Sequence, residues 1–117
     1  MNGDTFSVAV LEEAIAERHA RRELERHALL AELQDWLDKN GAAYGVTQAY
    51  IFGSLGQPGR FREDSDIDLA VVDVADGRFF TLAAALCQQF GREVDLIELR
   101  DCHFAAKIKR EGILWIA

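Results

Sequence analysis

The hydrophobic pattern divides the chain into one long helix and a run of short elements. From Ser7 to Lys39 there is no glycine or proline, and Ala, Leu, Glu and Arg dominate. That composition predicts a helix over 7–40, stopped at Asn40 and Gly41. Its apolar positions are uneven. Leu11 and Ile15 make a short stripe, whereas Leu29, Leu30, Leu33, Trp36 and Leu37 make a stronger one. Between them, Glu17–His27 is charged apart from Ala20 and Leu24. Two arrangements suit that stretch. One is a solvated helix laced with i,i+4 ion pairs such as Glu17 with Arg21. The other is a helix whose first half projects from the domain and touches a partner.

After Gly45 the period shortens. Val46–Phe52 is β-branched and aromatic and reads as a strand ended by Gly53-Ser54. Leu55–Ser65, with Gly56, Pro58 and Gly59, reads as a loop or a distorted turn of helix. Asp66–Val72 is a second strand, Asp73–Arg78 a turn, and Phe79–Phe90 a helix closed by Gly91. Glu93–Leu99 alternates as a third strand. Phe104–Glu111 is a short helix closed by Gly112, and Ile113–Ile116 is a final strand. This order predicts an α/β (α+β) domain: a small mixed sheet with flanking helices behind a long N-terminal helix.

Composition narrows the class. At 117 residues, half of them apolar and with one proline, the chain is a single globular domain over 1–117. No apolar run approaches the ~20 residues that span a bilayer. Met1–Thr5 lacks the basic start of a signal peptide. Cys87 and Cys102 form no C-x-x-C motif and are expected to be buried thiols of a cytoplasmic protein. His19, His27 and His103 have no metal-ligand spacing and read as surface or structural residues. The net charge of −7 opposes binding to phosphate backbones, so no direct nucleic-acid contact is expected.

The chemistry concentrates in aspartates. Alternation along a strand puts Asp66 and Asp68 on one face and Ile67 and Leu69 on the other, toward a core. Adjacent carboxylates repel unless a cation lies between them. Mg²⁺, a hard ion held by one or two carboxylates, water and substrate phosphates, is the natural occupant. Asp95, between Val94 and Leu96, is a third ligand candidate, because a buried mid-strand charge is costly without a partner. With ten aspartates in the chain, one D-x-D is expected about once by chance, and Asp64 and Asp66 share the spacing. Context raises its weight: a strand ending in Gly53-Ser54, then a loop, then the aspartates opening an apolar strand. Glycine lets backbone approach a phosphate, and the turn after it can aim N–H groups and the Ser54 hydroxyl at an anion.

Phe52-Gly53-Ser54, then Ser65-Asp66-Ile67-Asp68-Leu69, then Glu93-Val94-Asp95-Leu96 resembles the minimal nucleotidyltransferases of the DNA polymerase β superfamily. The closing Ile108-Lys109-Arg110-Glu111-Gly112-Ile113 is also similar. The resemblance covers Val46–Ala117 and makes 46–117 the nucleotidyltransferase core. It implies that Asp66, Asp68 and Asp95 are catalytic and hold two Mg²⁺ ions, and that Gly53 and Ser54 grip the phosphates of ATP. It further implies an antitoxin that transfers AMP to a tyrosine of a HEPN ribonuclease toxin encoded nearby, forming a hetero-oligomer with it. Asp95 or Asp68 is the nearest base for the acceptor hydroxyl. One departure stands out: related sequences often carry Ala-Arg-Gly after the Gly-Ser, and here Leu55-Gly56-Gln57 stands instead. Arg60 and Arg62 are the loop cations nearest that position. Two other functions fit the same features. One is an antitoxin that neutralises its partner by contact alone; the other is a small-molecule, antibiotic-type nucleotidyltransferase. The latter usually needs further structure for its acceptor pocket, so the short chain suggests an acceptor that arrives as a separate protein.

Overall fold

The computed structural model describes residues 3–117, with side chains from Val8 onward; Met1 and Asn2, part of the N-terminus read above, lie outside the described residues. The elements are α1 (Gly3–Asn40), β1 (Gln48–Phe52), β2 (Ile67–Val71), α2 (Phe79–Phe90), β3 (Val94–Glu98), α3 (Ala105–Glu111) and β4 (Ile113–Ile116), with short 3-10 turns at Gly41–Tyr44 and Leu99–Asp101. The four strands form one sheet in the order β3-β2-β1-β4. β1 pairs antiparallel with β2 and β4, and β2 pairs parallel with β3. A parallel pair needs a crossover, which α2 supplies. The small mixed sheet with flanking helices behind a long N-terminal helix, expected from the sequence, is therefore present.

Strand alternation gives the sheet two faces. One carries Ala49, Ile51, Ile67, Leu69, Val71, Leu96 and Trp115, packed against α1 and α2 in the main core. Leu33, Leu37, Leu82 and Leu86 enter this core fully buried, each stabilising the fold by roughly 1.5–3 kcal/mol relative to exposure. The Trp115 indole N–H donates to Asp38 Oδ1 at 2.7 Å, fastening β4 to α1. The other face carries a smaller cluster of Tyr50, Ala70, Leu99 and Ile108, covered in part by α3.

The stronger apolar stripe of α1 is thus a core face, as its spacing predicts. The first half behaves differently. Every residue from Val8 to Arg21 is exposed, including Leu11 at 61% and Ile15 at 41%. The helix overhangs the domain, and the molecule measures 68 × 28 × 20 Å. The expected Glu17–Arg21 pair is absent among the described residues; the α1 ion pairs are Arg22–Glu25, Arg26–Glu23 and Lys39–Asp35. The thiol expectation needs a correction too. Cys87 is exposed and Cys102 half-buried, both free; Cys87 lies on the flank of α2, off the buried stripe of Leu82 and Leu86. Among the described residues no helix is long and apolar enough to cross a membrane.

Candidate active site

β1 delivers Gly53, β2 delivers Asp68 and β3 delivers Asp95 to one end of the sheet. Antiparallel pairing sets Phe52 opposite Asp68, and parallel pairing sets Asp68 beside Asp95. Asp68 and Asp95 therefore share the face that carries Ala70 and Ile97, away from the main core. Ile67 and Leu69, on the opposite face, are fully buried as expected. Asp66 precedes β2 by one residue and is exposed.

Gly53 follows β1 with φ +66°, in the left-handed region. A side-chain carbon there would overlap the Asp68 carboxylate and lie 2.9 Å from its Cγ. The position is closed to side chains twice over, by conformation and by space. Gly56 is held equally close: a Cβ on it would meet the Ile51 carbonyl oxygen at 2.6 Å. Gly56 N–H donates to the Gly53 carbonyl at 3.1 Å, and Gln57 N–H to that of Ser54 at 3.4 Å. The segment after Gly53-Ser54 is accordingly a series of tight turns, with the Leu55 side chain fully buried beneath.

Charged residues of the solvated-looking stretch brace this loop. Arg26 is only 4% exposed. Its guanidinium donates to the Leu55 carbonyl at 3.1 Å and pairs with Glu23 at 3.1 Å. Glu23 in turn accepts from Gly59 N–H at 3.0 Å. That bond, with the Arg26 contact second, holds the Glu23 carboxyl below its ordinary range. At the loop's far end, Arg92 donates to the carbonyls of Glu63 and Ser65 at 2.9 and 2.8 Å. The sequence reading missed these braces. A signal existed: Arg26 lies three, four and seven residues before Leu29, Leu30 and Leu33, on the buried stripe.

The electrostatics single out Asp68. Partial burial pushes its carboxyl up to about 6, with Asp95 and then Asp66 adding like-charge repulsion. None of the three aspartates enters an ion pair among the described residues. Asp95 is exposed, because β3 is an edge strand and its end is uncovered. That corrects the expectation of a buried mid-strand charge. The expected convergence is looser than a closed cage: among the described residues no three His, Cys, Asp or Glu side chains by themselves enclose an ion. An open row of uncompensated carboxylate oxygens still fits Mg²⁺, which keeps several waters and takes remaining ligands from substrate phosphates.

Two hollows flank Gly53. A cleft of about 1050 Å³ lies between α1 and the Gly53–Ser65 loop and includes Gly53, Ser54 and several arginines. A hollow of about 170 Å³ lies between the turn and α3, with Arg60, Lys107 and Glu111 in its lining.

The chain belongs to the Polymerase beta, Nucleotidyltransferase family, which matches residues 31–116. Two solved structures share the fold, each with a TM-score of 0.58 over 72% of this chain and 73% of the other. One, 25% identical, is a mutant of the MntA–HepT toxin–antitoxin. The other, 27% identical, is a toxin–antitoxin with AMP-PNP. None of the curated proteins matches.

Proposed function

We propose that this protein is an Mg²⁺-dependent nucleotidyltransferase that acts as a cytoplasmic antitoxin, transferring AMP from ATP to a tyrosine of a cognate HEPN ribonuclease toxin. The observation that carries the reading is the row Gly53–Asp68–Asp95. A glycine without room for a side chain abuts a carboxylate of raised pKa, next to a second carboxylate. Such a row suits a triphosphate brought close to backbone and neutralised by a cation. Its resemblance to toxin–antitoxin structures, one with AMP-PNP, supports both the nucleotide and the kind of partner.

Asp66, Asp68 and Asp95 would hold the ion. Bound there, Mg²⁺ would supply charge neutralisation of the triphosphate and would favour ionisation of the acceptor hydroxyl. The chain's own residues do the positioning. Gly53 admits phosphate to the backbone, Ser54 offers a hydroxyl, and Arg26, Glu23 and Arg92 keep the loop in place. The acceptor oxygen forms a bond to the α-phosphorus as the bond to pyrophosphate breaks, and the hydroxyl proton leaves to a carboxylate or to water. Catalysis of this type is mainly positioning and charge neutralisation. The test is incubation with Mg²⁺, labelled ATP and the protein encoded beside it. Label on that protein supports the reading. No label from any nucleotide refutes it.

A second reading, neutralisation by contact alone, draws on the overhanging half of α1. Val8, Val10, Leu11 and Ile15 are exposed there, and the turn Leu55-Gly56-Gln57 carries no cation. Full neutralisation by an Asp66→Asn/Asp68→Asn variant would favour contact over catalysis.

A further inference from the structure

The cleft between α1 and the Gly53–Ser65 loop gathers four arginines beside the site. Its walls carry Arg18, Arg22, Arg60 and Arg62 against Glu63 and Asp64, in a chain whose net charge is −7. Arg18 and Arg22 come from the overhanging helix. They continue at four-residue intervals the stripe that begins with Arg26 and runs into Leu29, Leu33 and Leu37. The stripe that builds the core thus changes from leucine to arginine where the helix passes the loop. The guanidinium of Arg26 is committed to the Leu55 carbonyl. Arg22 donates to Glu25 in a hydrogen-bonded ion pair at 3.0 Å and lies 3.7 Å from the exposed Glu63, so a phosphate would share or displace these carboxylates. Among the described residues Arg18 makes no ion pair or side-chain hydrogen bond. The turn that ends at Gln57 is itself neutral.

We propose that this cleft holds the polyphosphate arm of the nucleotide, with Arg18 and Arg22 of the N-terminal helix as its anchors. The assignment rests on the nucleotidyltransferase reading and adds the residues that grip the donor. Planar guanidinium forks match phosphate oxygens in paired hydrogen bonds. A site partly walled from water strengthens them. The first half of α1 would then be part of the nucleotide site and not only an overhang.

Calorimetric titration of the full chain with ATP, inorganic tripolyphosphate and AMP, each with Mg²⁺, tests the assignment. Arg18→Gln/Arg22→Gln is expected to lower affinity for ATP and tripolyphosphate at least tenfold and to leave AMP unchanged. Arg18→Gln alone, at an exposed position without an ion pair or side-chain hydrogen bond among the described residues, should lose part of that affinity with an unaltered melting temperature. Arg18→Lys/Arg22→Lys should recover part of it. Wild-type affinity for tripolyphosphate in the double variant overturns the assignment. So does a loss that follows Lys107→Gln instead, which would put the phosphates in the hollow beside α3. Failure of the two readings is separable. Tripolyphosphate binding through Arg18 and Arg22 without AMP transfer to any acceptor keeps the cleft and removes the transferase. AMP transfer by the double variant with an unchanged KM for ATP does the reverse.

Discussion

Gly53 has no side chain in a place that the carboxylate of Asp68 already fills. The turn that ends β1 and the aspartate in β2 are thereby one structural unit. Substituting Gly53 by alanine forces a left-handed backbone onto a residue with a Cβ and drives that carbon into Asp68. A destabilisation of about 1–3 kcal/mol is expected from the conformation and clash together. Transfer activity should fall far more, at least 100-fold, because the turn and the carboxylate move apart. Thermal unfolding and a rate measurement on Gly53→Ala check both parts.

Asp68 makes stability depend on pH in a stated direction. Its carboxyl is raised from 3.8 to about 6 in the folded protein, first by burial, then by Asp95 and Asp66. The native state therefore binds that proton more tightly than the unfolded chain. The associated stability is fully present below about pH 3.8 and is lost as pH rises through 6. Without divalent cations, Asp68→Asn should melt a few degrees above wild type at pH 7.5, and the gap should close toward pH 4. Adding Mg²⁺ should raise the wild-type melting temperature more than that of the variant.

Arg26 is expected to matter for folding and for the site. Replacing it by methionine keeps the stem but removes the donor to the Leu55 carbonyl and leaves Glu23 with the Gly59 N–H alone. The cost should be about 1–3 kcal/mol. Affinity for ATP should fall as the loop loosens, measured on protein that is still folded by circular dichroism.

Asp66 and Asp95 should separate catalysis from stability. Both are exposed and neither pairs with a cation among the described residues. Asn at either position is expected to leave the melting temperature within about 2 °C of wild type. Transfer should drop at least 100-fold in each. A variant that melts like wild type and transfers at the wild-type rate would remove that residue from the site.

Much of this arrangement was legible in the sequence because the chain's periods are clean. Phe79–Phe90 and Ile113–Ile116 match α2 and β4 residue for residue, since Gly91 and Gly112 stop the preceding helices. Alternation placed Asp68 opposite the core, and parallel pairing put Asp95 beside it. What was not legible depends on which elements neighbour one another. Arg26 sits in a charged run that looks solvated until the loop folds over it. Asp95 looks buried until β3 proves to be an edge strand. The exposure of Leu11 and Ile15 follows from the length of α1: at 38 residues and ~1.5 Å per residue, the helix outruns a four-stranded sheet.

The most direct measurement is transfer itself. The protein should be mixed with Mg²⁺, ATP labelled at the α-phosphorus and the protein encoded beside it. Adenylyl transfer predicts label on a tyrosine of that partner and loss of its ribonuclease activity, both abolished by Asp68→Asn. Silencing of the partner without label, and equally by the Asp66→Asn/Asp68→Asn variant, would contradict it.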